Sequence, residues 1–376
     1  MKPLNALTGL RGIASYSVLV AHTFTYSFLY GGVNLMQPFA ERLAYFGMSL
    51  FFVLSGFVIH YNYAKLINSK GYVLGGYQFM VARIARLYPL YALILICTLD
   101  GIPSRNFHNT GHAEYTFMLM TQSWFNLQDL TFRPAWSIST EWFFYFAFIF
   151  MLPIFNLVKK PIIHLILLLT LTFIFLPNLL HWEVKTFGDA NVWITYFSPY
   201  TRIFDFVAGV LSSMVYLSVK DSQRDINLYE KIGLIVIGCW VFSIMYFDVL
   251  SNTKYSILLS NFVYTPAIAP LLIIVCRHNV LDKLLCNRIT MFMGEISYSV
   301  YLLGFTIMNG LRGTYVSTAP TLMAHINSVI KMGAIITLTT VFAYGGYNLI
   351  EKPARRFLRR VLSVKQEQPL LDTAKV

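Results

Sequence analysis

The amino-acid sequence predicts an all-α polytopic membrane protein with about ten transmembrane helices and both termini in the cytoplasm. Composition supports this class, because 56% of the 376 residues are hydrophobic and only 12% are charged, about half the charged share of a soluble domain. The sequence also contains many apolar stretches close to the roughly 20 residues that cross the hydrocarbon core. Helices are expected in these stretches because lipid offers no hydrogen-bond partners to free backbone groups.

Ten segments rich in Leu, Ile, Val, Phe and Tyr are the candidate spans. In chain order they cover residues 8–29, 43–62, 84–100, 138–157, 162–180, 198–218, 231–250, 256–276, 290–310 and 329–350. The first is expected to be a retained helix and not a signal peptide, because Arg11 interrupts it and no small-residue cleavage site follows. Segment 101–137 is predicted to be the longest outer loop, with room for a short helix.

Lysine and arginine predict the orientation. With the N-terminus inside, they favour the inner segments by roughly three to one, which is the bias of cytoplasmic loops. The same rule accounts for the formal charge of +12, and no motif suggests that the protein binds nucleic acid. The four cysteines lie at no metal-like spacing, so we expect neither a metal site nor a disulfide framework. Residues 1–357 are interpreted as one transmembrane domain, and 358–376 as a disordered cytoplasmic tail.

Arg11 and His22 are ionisable residues within the first apolar span. Because ionisable groups in a membrane are costly, both are candidates for a functional role. Eleven residues are about three helical turns, so the two side chains share a face and lie about 16 Å apart along the axis. Arg11 is then near the cytoplasm and His22 deep in the bilayer. The alternative is that Arg11 extends to the surface and His22 bonds a neighbouring helix.

Arg83 and Arg86, in RIARLYPLY, are spaced i, i+3 on one face of the third span. Paired guanidinium groups suit phosphate, although the ordinary positive charge of inner loops would explain them equally well. Ser55, in FFVLSGFVIHY, permits close approach of a helix or of a ligand. Helix packing is the alternative role of this small residue.

In WSISTEW, at the start of the fourth span, Ser137 and Glu141 lie one turn apart beside Trp136. A buried carboxylate can orient a histidine or bind a sugar hydroxyl, but it can also simply bind interfacial water. The remaining candidates are two further pairs of polar residues. Arg202 and Asp205 form an opposite-charge pair at i, i+3 that can be purely structural, and Ser297 and Tyr301 share a face of the ninth span, where they would line a cavity or pack.

Six motifs in chain order resemble those of the membrane acyltransferase-3 family, whose members are integral membrane O-acyltransferases of surface polysaccharides. They are Arg11-x10-His22, FFVLSGF at 51–57, RIAR at 83–86, WSISTE at 136–141, RIFDFVAG at 202–209 and EKPARR at 351–356. The resemblance runs from about residue 4 to 357. Two positions depart from the family pattern, since Asp205 stands where Glu is more frequent, and Gly304 where a His often follows Ser-Tyr-x-x-Tyr-Leu.

The resemblance implies an acyl-CoA-dependent O-acyltransferase in a bacterial cytoplasmic (inner) membrane. Acyl-CoA, most often acetyl-CoA, would be a co-substrate and not a permanently bound cofactor, with its phosphates near Arg83, Arg86 and Arg11. His22 would be the general base on the acceptor hydroxyl. Glu141 would be its partner or a ligand of the sugar, and Ser55 would line the pore.

The same resemblance leaves Trp136, Ser137, Arg202, Asp205, Ser297 and Tyr301 as substrate- or pore-lining candidates. The acceptor is expected to be a saccharide on the outer side of the bilayer, and polysaccharide-assembly proteins are possible partners. The SGNH-hydrolase-like domain of many relatives does not follow here, so we expect the chain to act alone or to hand on its product. Whether a covalent acyl-enzyme forms stays open.

Two other classes of function remain. A secondary transporter could use Arg11, His22, Glu141 and Asp205 as an ion relay, although the sequence shows no inverted repeat or paired broken helices of the kind that many transporters carry. An inactive relative could bind a ligand or organise a polysaccharide-assembly complex. Thiol release from acyl-CoA that depends on His22 distinguishes the enzyme from both.

Overall fold

The computed structural model describes residues 4–28, 37–99, 113–125, 134–175, 192–219, 228–246, 262–277, 281–311 and 322–361. Within these ranges the chain forms helices and turns and no strand, which confirms the predicted all-α class. The last helix reaches Val361, so the described residues include only the first part of the predicted tail. The division of the chain at residue 357 remains a prediction.

The described residues form fourteen α-helices. In chain order they are Asn5–Phe28 (α1), Gln37–Lys70 (α2), Tyr72–Leu99 (α3), Ala113–Met118 (α4), Ala135–Asn156 (α5), Pro161–Thr170 (α6), Pro199–Val219 (α7), Leu228–Tyr246 (α8), Thr265–Arg277 (α9), Asp282–Leu285 (α10), Arg288–Glu295 (α11), Ser297–Gly310 (α12), Leu322–Gly346 (α13) and Lys352–Val361 (α14). Three π-helical turns add to them: Leu171–Phe175 extends α6, Trp193–Phe197 precedes α7, and Tyr347–Glu351 joins α13 to α14.

Six stretches of the described chain are helical, long and apolar enough to cross a membrane. They are Phe39–Lys70, Tyr72–Cys97, Ala135–Asn156, Trp193–Val219, Leu228–Tyr246 and Ile326–Leu358. Helices α11 and α12 form a seventh if they count as one span, although they are bent by 68°. Each of the ten predicted segments overlaps a helix, but α6 and α9 are short, and α1 falls outside this set. The count of ten spans and the side of each terminus therefore remain predictions.

Helix α2 lies at the centre of the bundle, where it packs along α1, α3 and α7. Glycines bring α2 and α7 into backbone contact, because a Cβ at Gly56 would collide with the carbonyl oxygen of Phe206, and one at Gly209 with that of Val53. Small residues allow this approach between membrane helices. By contrast, most of α8 and α13 is exposed apolar surface, as expected of helices that face lipid.

Helix α5 begins at Ala135, three residues before the predicted span, so Trp136 and Ser137 lie in its first turn. The segment that precedes it is only partly described. Its residues 113–125 contain α4 and a turn that packs on α5, where the Gln122 amide donates to the carbonyl of Ala135 at 2.8 Å. The Ser123 hydroxyl also donates to Ser139 Oγ at 2.8 Å. These bonds fix the start of α5, and therefore the position of Glu141 along the axis of that helix.

Candidate functional site

A cavity of about 870 Å³, a volume that includes the space at its mouth, lies between α1, α2, α3, α5 and α12. Most of its wall is apolar, with Leu, Ile, Val, Met and Phe side chains. The polar part of that wall consists of Thr8, Tyr298 and eight of the predicted site residues: Arg11, Ser55, Arg83, Arg86, Ser137, Glu141, Ser297 and Tyr301. Five separate segments of the sequence thus contribute to one site.

Glu141 is held in the cavity by two hydroxyl groups. Ser55 Oγ donates to Glu141 Oε1 at 3.1 Å, and Tyr145 OH donates to the same oxygen at 2.7 Å. The two donors come from different helices, α2 and α5, so the carboxylate is fixed in one rotamer. Neither bond involves Oε2, and the described residues place no hydrogen-bond donor on that oxygen. The second carboxylate oxygen is therefore available to a ligand in the cavity.

Arg11 is anchored at the bend between α11 and α12. Its Nη2 donates to the carbonyl of Gly294 at 2.6 Å, and its Nε donates to Ser297 Oγ at 2.9 Å. The anchor depends on close packing, because a Cβ at Gly12 would lie 2.7 Å from the backbone nitrogen of Gly294. Ser297 thus acts with Arg11, and both side chains line the cavity.

Arg83 and Arg86 line the same cavity but lie in different environments. Arg83 is buried, with its guanidinium 4.7 Å from the ring centroid of Tyr63 and Nη2 donating to Tyr63 OH at 2.6 Å. Its Nε has no hydrogen-bond partner among the described residues. Arg86 is only partly buried, and no hydrogen bond or ion pair to its side chain is found in the same ranges. Arg86 is therefore the arginine best placed to meet an anion.

One end of the cavity is bounded by a hydrogen bond between two of the predicted residues. Ser137 Oγ donates to Tyr301 OH at 2.6 Å and also approaches the carbonyl of Pro134 at 3.1 Å. The Tyr301 ring packs edge-on against Phe51 of α2, with centroids 5.9 Å apart. The pair links α5 to α12 across the cavity, so Ser137 and Tyr301 contribute to its shape as well as to its polarity.

Two functional candidates were not identified from the sequence. Tyr145 follows Glu141 by one turn, so the i, i+4 spacing could have indicated it. Glu351, in EKPARR, is buried in the π-helical turn after α13 and accepts a short hydrogen bond from Ser299. It interacts electrostatically with Arg11 and Arg86. Sequence spacing could not reveal this, because the cations lie on helices far away in the chain.

His22 does not line the cavity. It is exposed on α1, eleven residues and about 16 Å beyond Arg11 on the same helical face. The hydrogen bonds of Glu141 come from Ser55 and Tyr145 and not from His22. Of the two roles expected for Glu141, this geometry favours contact with a ligand over direct pairing with His22.

Trp136, Arg202 and Asp205 also lie outside the cavity wall. Trp136 packs edge-on against Phe52 and Phe197, with ring centroids 6.0 and 5.1 Å apart. Because Phe52 lines the cavity, Trp136 forms a second layer of packing outside the cavity wall. Arg202 and Asp205 are fully buried, with Nη1 and Oδ2 3.4 Å apart. Asp205 also accepts a 2.5 Å hydrogen bond from Thr265 of α9. The hydrogen bond between Thr265 and Asp205 joins α9 to α7.

The fold and site define a class, a bundle of membrane-length helices around a cavity lined by arginines and a carboxylate. Comparison with known families makes the assignment specific. The sequence profile of the acyltransferase-3 family, described as an acyltransferase domain, matches residues 4–347. The chain belongs to this family, which confirms the resemblance seen in its motifs.

Individual relatives with acetyltransferase names are similar to the chain at low sequence identity. The chain is 23% identical over 387 aligned residues to a protein of Staphylococcus aureus (strain COL) provisionally named an O-acetyltransferase, and the alignment covers 95% of this chain and 58% of that protein. It is 25% identical over 382 residues to a Bacillus subtilis (strain 168) protein provisionally named a peptidoglycan O-acetyltransferase, covering 94% and 56% of the two chains. The chain thus spans less than two thirds of the length of these relatives.

A third relative, named protein 2 in the picA locus of Rhizobium radiobacter, is 37% identical over 155 residues. That alignment covers 36% of this chain and 75% of the relative. No solved structure matches the chain.

Proposed function

We propose that the chain is an O-acyltransferase that moves an acyl group, most simply acetyl, from cytoplasmic acyl-CoA to a sugar hydroxyl of an envelope or exported polysaccharide. The observation that carries the proposal is the polar part of the cavity wall. Three arginines, Arg11, Arg83 and Arg86, face an otherwise apolar space together with one carboxylate that hydroxyl groups hold in place. Family membership supports acyl transfer, and the cavity supports the choice of donor.

The charge of the cavity wall favours an anionic donor. Three guanidinium groups and one carboxylate line it, so the lining has a net positive charge in a region of low dielectric constant, where unpaired charges are costly. A phosphate-bearing ligand compensates this charge, and guanidinium groups bind its oxygens in a bidentate geometry. Acyl-CoA carries such phosphates at one end and an apolar arm at the other, which matches arginines beside apolar walls.

The acyl transfer requires a base on the acceptor. The sugar hydroxyl oxygen attacks the thioester carbonyl, a base takes the hydroxyl proton, the carbon–sulfur bond breaks, and CoA leaves as its thiol. A positioned base contributes about 10²- to 10⁴-fold to such a step. We assign this role to His22, whose exposure on α1 makes it accessible to an acceptor. Glu141 then binds the acceptor or the acyl end through Oε2.

The proposed sidedness follows from the distribution of charge. Helix α14 carries Lys352, Arg355 and Arg356 directly after the π-helical turn that holds Glu351. Such a cluster is typical of the cytoplasmic side of a membrane protein. Glu351 interacts electrostatically with Arg11, Arg86 and Arg355, so the donor would enter at that end, in the inner membrane of a bacterium. His22, further along α1, would then face an acceptor on the outer side, where polysaccharide-assembly proteins act.

The test is CoA-thiol release from acetyl-CoA by membranes that contain the wild-type chain, His22→Ala or Glu141→Gln, with crude envelope polysaccharide as the acceptor. We expect acceptor-dependent release from the wild type, a loss of at least about 100-fold in His22→Ala, and a loss of at least about tenfold in Glu141→Gln through the lost charge-assisted contact, all at equal protein level. Lys65→Met, a change at an exposed lysine outside the cavity, is the matched control and should behave as the wild type.

Equal release by wild type and His22→Ala would remove His22 as the base. No release from the wild type with acetyl-, succinyl- or branched acyl-CoA, together with no binding of radiolabelled acetyl-CoA to the purified protein, would overturn the proposal. That pair of results would favour the transporter alternative. Release from the wild type that needs no saccharide would mean that the acceptor belongs to another class of molecule.

A further inference from the structure

Lys331 is a cation in an apolar helix that the catalytic proposal does not use. It lies on α13, inside the membrane-length stretch Ile326–Leu358, and is partly buried. No carboxylate forms an ion pair with its ammonium group within the described ranges. An ionisable side chain within a span is a functional candidate by default.

The Lys331 side chain is directed to a neighbouring helix. Its Nζ lies 4.8 Å from the ring centroid of Tyr26 on α1. A lysine that only avoids lipid extends its ammonium group along its own helix toward water, whereas this one is held against an aromatic ring of α1. The two helices are also fastened at this level, because Ser328 Oγ donates to the carbonyl of Ser27 at 3.0 Å.

Tyr26 and His22 are one helical turn apart, at i and i+4, so their side chains are neighbours on one face of α1. His22, Tyr26 and Lys331 therefore form a group of an imidazole, a phenol and an ammonium at the end of α1 remote from Arg11. His22 is exposed, and the other two are partly buried.

We propose that His22, Tyr26 and Lys331 form the acceptor subsite, and that Lys331 makes the enzyme selective for an anionic saccharide, one that bears a carboxylate or a phosphate group. The ammonium is a compact point charge of the kind that binds such groups. Tyr26 contributes its aromatic ring, against which the ammonium of Lys331 lies, while its hydroxyl oxygen is buried. With the acidic group on Lys331, a free hydroxyl of the same or the adjacent sugar reaches His22. This inference rests on the proposed acyl transfer and names its acceptor.

The experiment follows acetyl transfer from radiolabelled acetyl-CoA to envelope glycans that are divided by anion exchange into anionic and neutral fractions. Part of the anionic fraction is carboxyl-reduced and part is dephosphorylated, so that the two sources of negative charge are separated. Membranes contain the wild type, Lys331→Met, Lys331→Arg or the control Lys65→Met at equal protein level. The KM values for glycan and for acetyl-CoA are measured separately.

We expect the wild type to label the anionic fraction and to lose that activity after one of the two treatments. In Lys331→Met, KM for the anionic glycan should rise about tenfold, as for one lost charge-assisted contact, while KM for acetyl-CoA stays unchanged. Lys331→Arg should restore most of the affinity.

Equal labelling of anionic and neutralised glycans by the wild type would overturn the inference, and so would an unchanged KM in Lys331→Met. These results differ from failure of the proposed function, in which the wild type labels no fraction and releases no CoA thiol. A rise in both KM values would show that Lys331 only supports the fold, which also overturns the inference.

Discussion

The hydroxyl of Tyr145 donates a 2.7 Å hydrogen bond to the carboxylate of Glu141, one turn earlier on α5. Ser55 on α2 donates to the same oxygen, so two helices must keep their spacing for Glu141 to stay in place. Tyr145 also lies 5.8 Å from the guanidinium of Arg83, measured to the ring centroid. The Tyr145 side chain thereby contacts Glu141 through its hydroxyl and Arg83 through its ring.

The first prediction concerns this hydrogen bond. A hydrogen bond to a charged group contributes about 1.5–3 kcal/mol, so Tyr145→Phe should lower kcat/KM about tenfold or more. Glu141→Gln, which removes the charge itself, should cost more than Tyr145→Phe. The measurement is CoA-thiol release by purified protein in detergent. Tyr246→Phe, at a tyrosine that is 70% exposed, is the control, and equal rates in Tyr145→Phe and this control would contradict the assignment.

The second prediction separates the two arginines of the RIAR motif. Arg86 lines the cavity and has no hydrogen bond or ion pair within the described ranges, so Arg86→Met should raise KM for acetyl-CoA about tenfold, by loss of one charge-assisted contact. Added salt should weaken the affinity for acetyl-CoA more in the wild type than in Arg86→Met, because the variant already lacks one charge pair with the ligand. Arg86→Lys should recover part of the affinity.

The exposed Arg288 provides the matched control for this experiment, since it lies at the start of α11 and outside the cavity wall. Arg288→Met should leave KM for acetyl-CoA unchanged. Arg83→Met should behave differently from both, with loss of folded protein, because it removes a buried guanidinium that contacts Tyr63. A similar rise in KM for Arg86→Met and Arg288→Met would mean that Arg86 acts only through general surface charge.

The sequence predicted most of the polar residues of the cavity wall, because polar residues are conspicuous in apolar spans. Arg11, Ser55, Glu141 and Ser297 stood out for this reason, and the structure brings them together. Helical spacing placed pairs on one face of one helix, but it carries no information on which helices are neighbours. The electrostatic interaction of Glu351 with cations distant in sequence was therefore missed.

The same limit applies to the role of each residue. The sequence offered two partners for Glu141, and only packing revealed that its hydrogen bonds come from Ser55 and Tyr145. The boundaries of α2 were too short in the prediction, since its ends are polar and continue beyond the apolar core as far as Gln37 and Lys70. Apolar length predicts the part of a helix inside lipid and not the part that extends past it.

The third prediction concerns the buried pair Arg202 and Asp205. Removal of one member of a buried ion pair leaves an uncompensated charge and costs about 3–5 kcal/mol, so Asp205→Ala should lower the thermal unfolding midpoint in detergent strongly. The double variant Arg202→Met/Asp205→Ala should be more stable than Asp205→Ala, because it leaves no buried charge. Residual CoA-thiol release should follow the amount of folded protein. A stable, inactive Asp205→Ala would instead support the ion-relay alternative for this residue.

The last prediction tests the contact between α2 and α7. A Cβ at Gly56 would collide with the backbone carbonyl of Phe206, whereas one at Gly238 on α8 would meet no atom within 4 Å. Alanine is favoured over glycine within a helix by about 0.5–1 kcal/mol, so Gly238→Ala should be neutral or slightly stabilising. Gly56→Ala should destabilise by about 1–3 kcal/mol, the usual cost of overpacking.

Unfolding midpoints in detergent measure both changes under the same conditions. Gly56 is also the residue after Ser55, so a displaced α2 should move Ser55 away from Glu141 and lower the rate of transfer by more than the loss of folded protein explains. Equal midpoints for Gly56→Ala and Gly238→Ala would show that α2 and α7 are not in backbone contact at Gly56. The hydrogen bond from Ser55 to Glu141 requires α2 to be held at this depth and rotation, and contact with α7 would then not be what holds it.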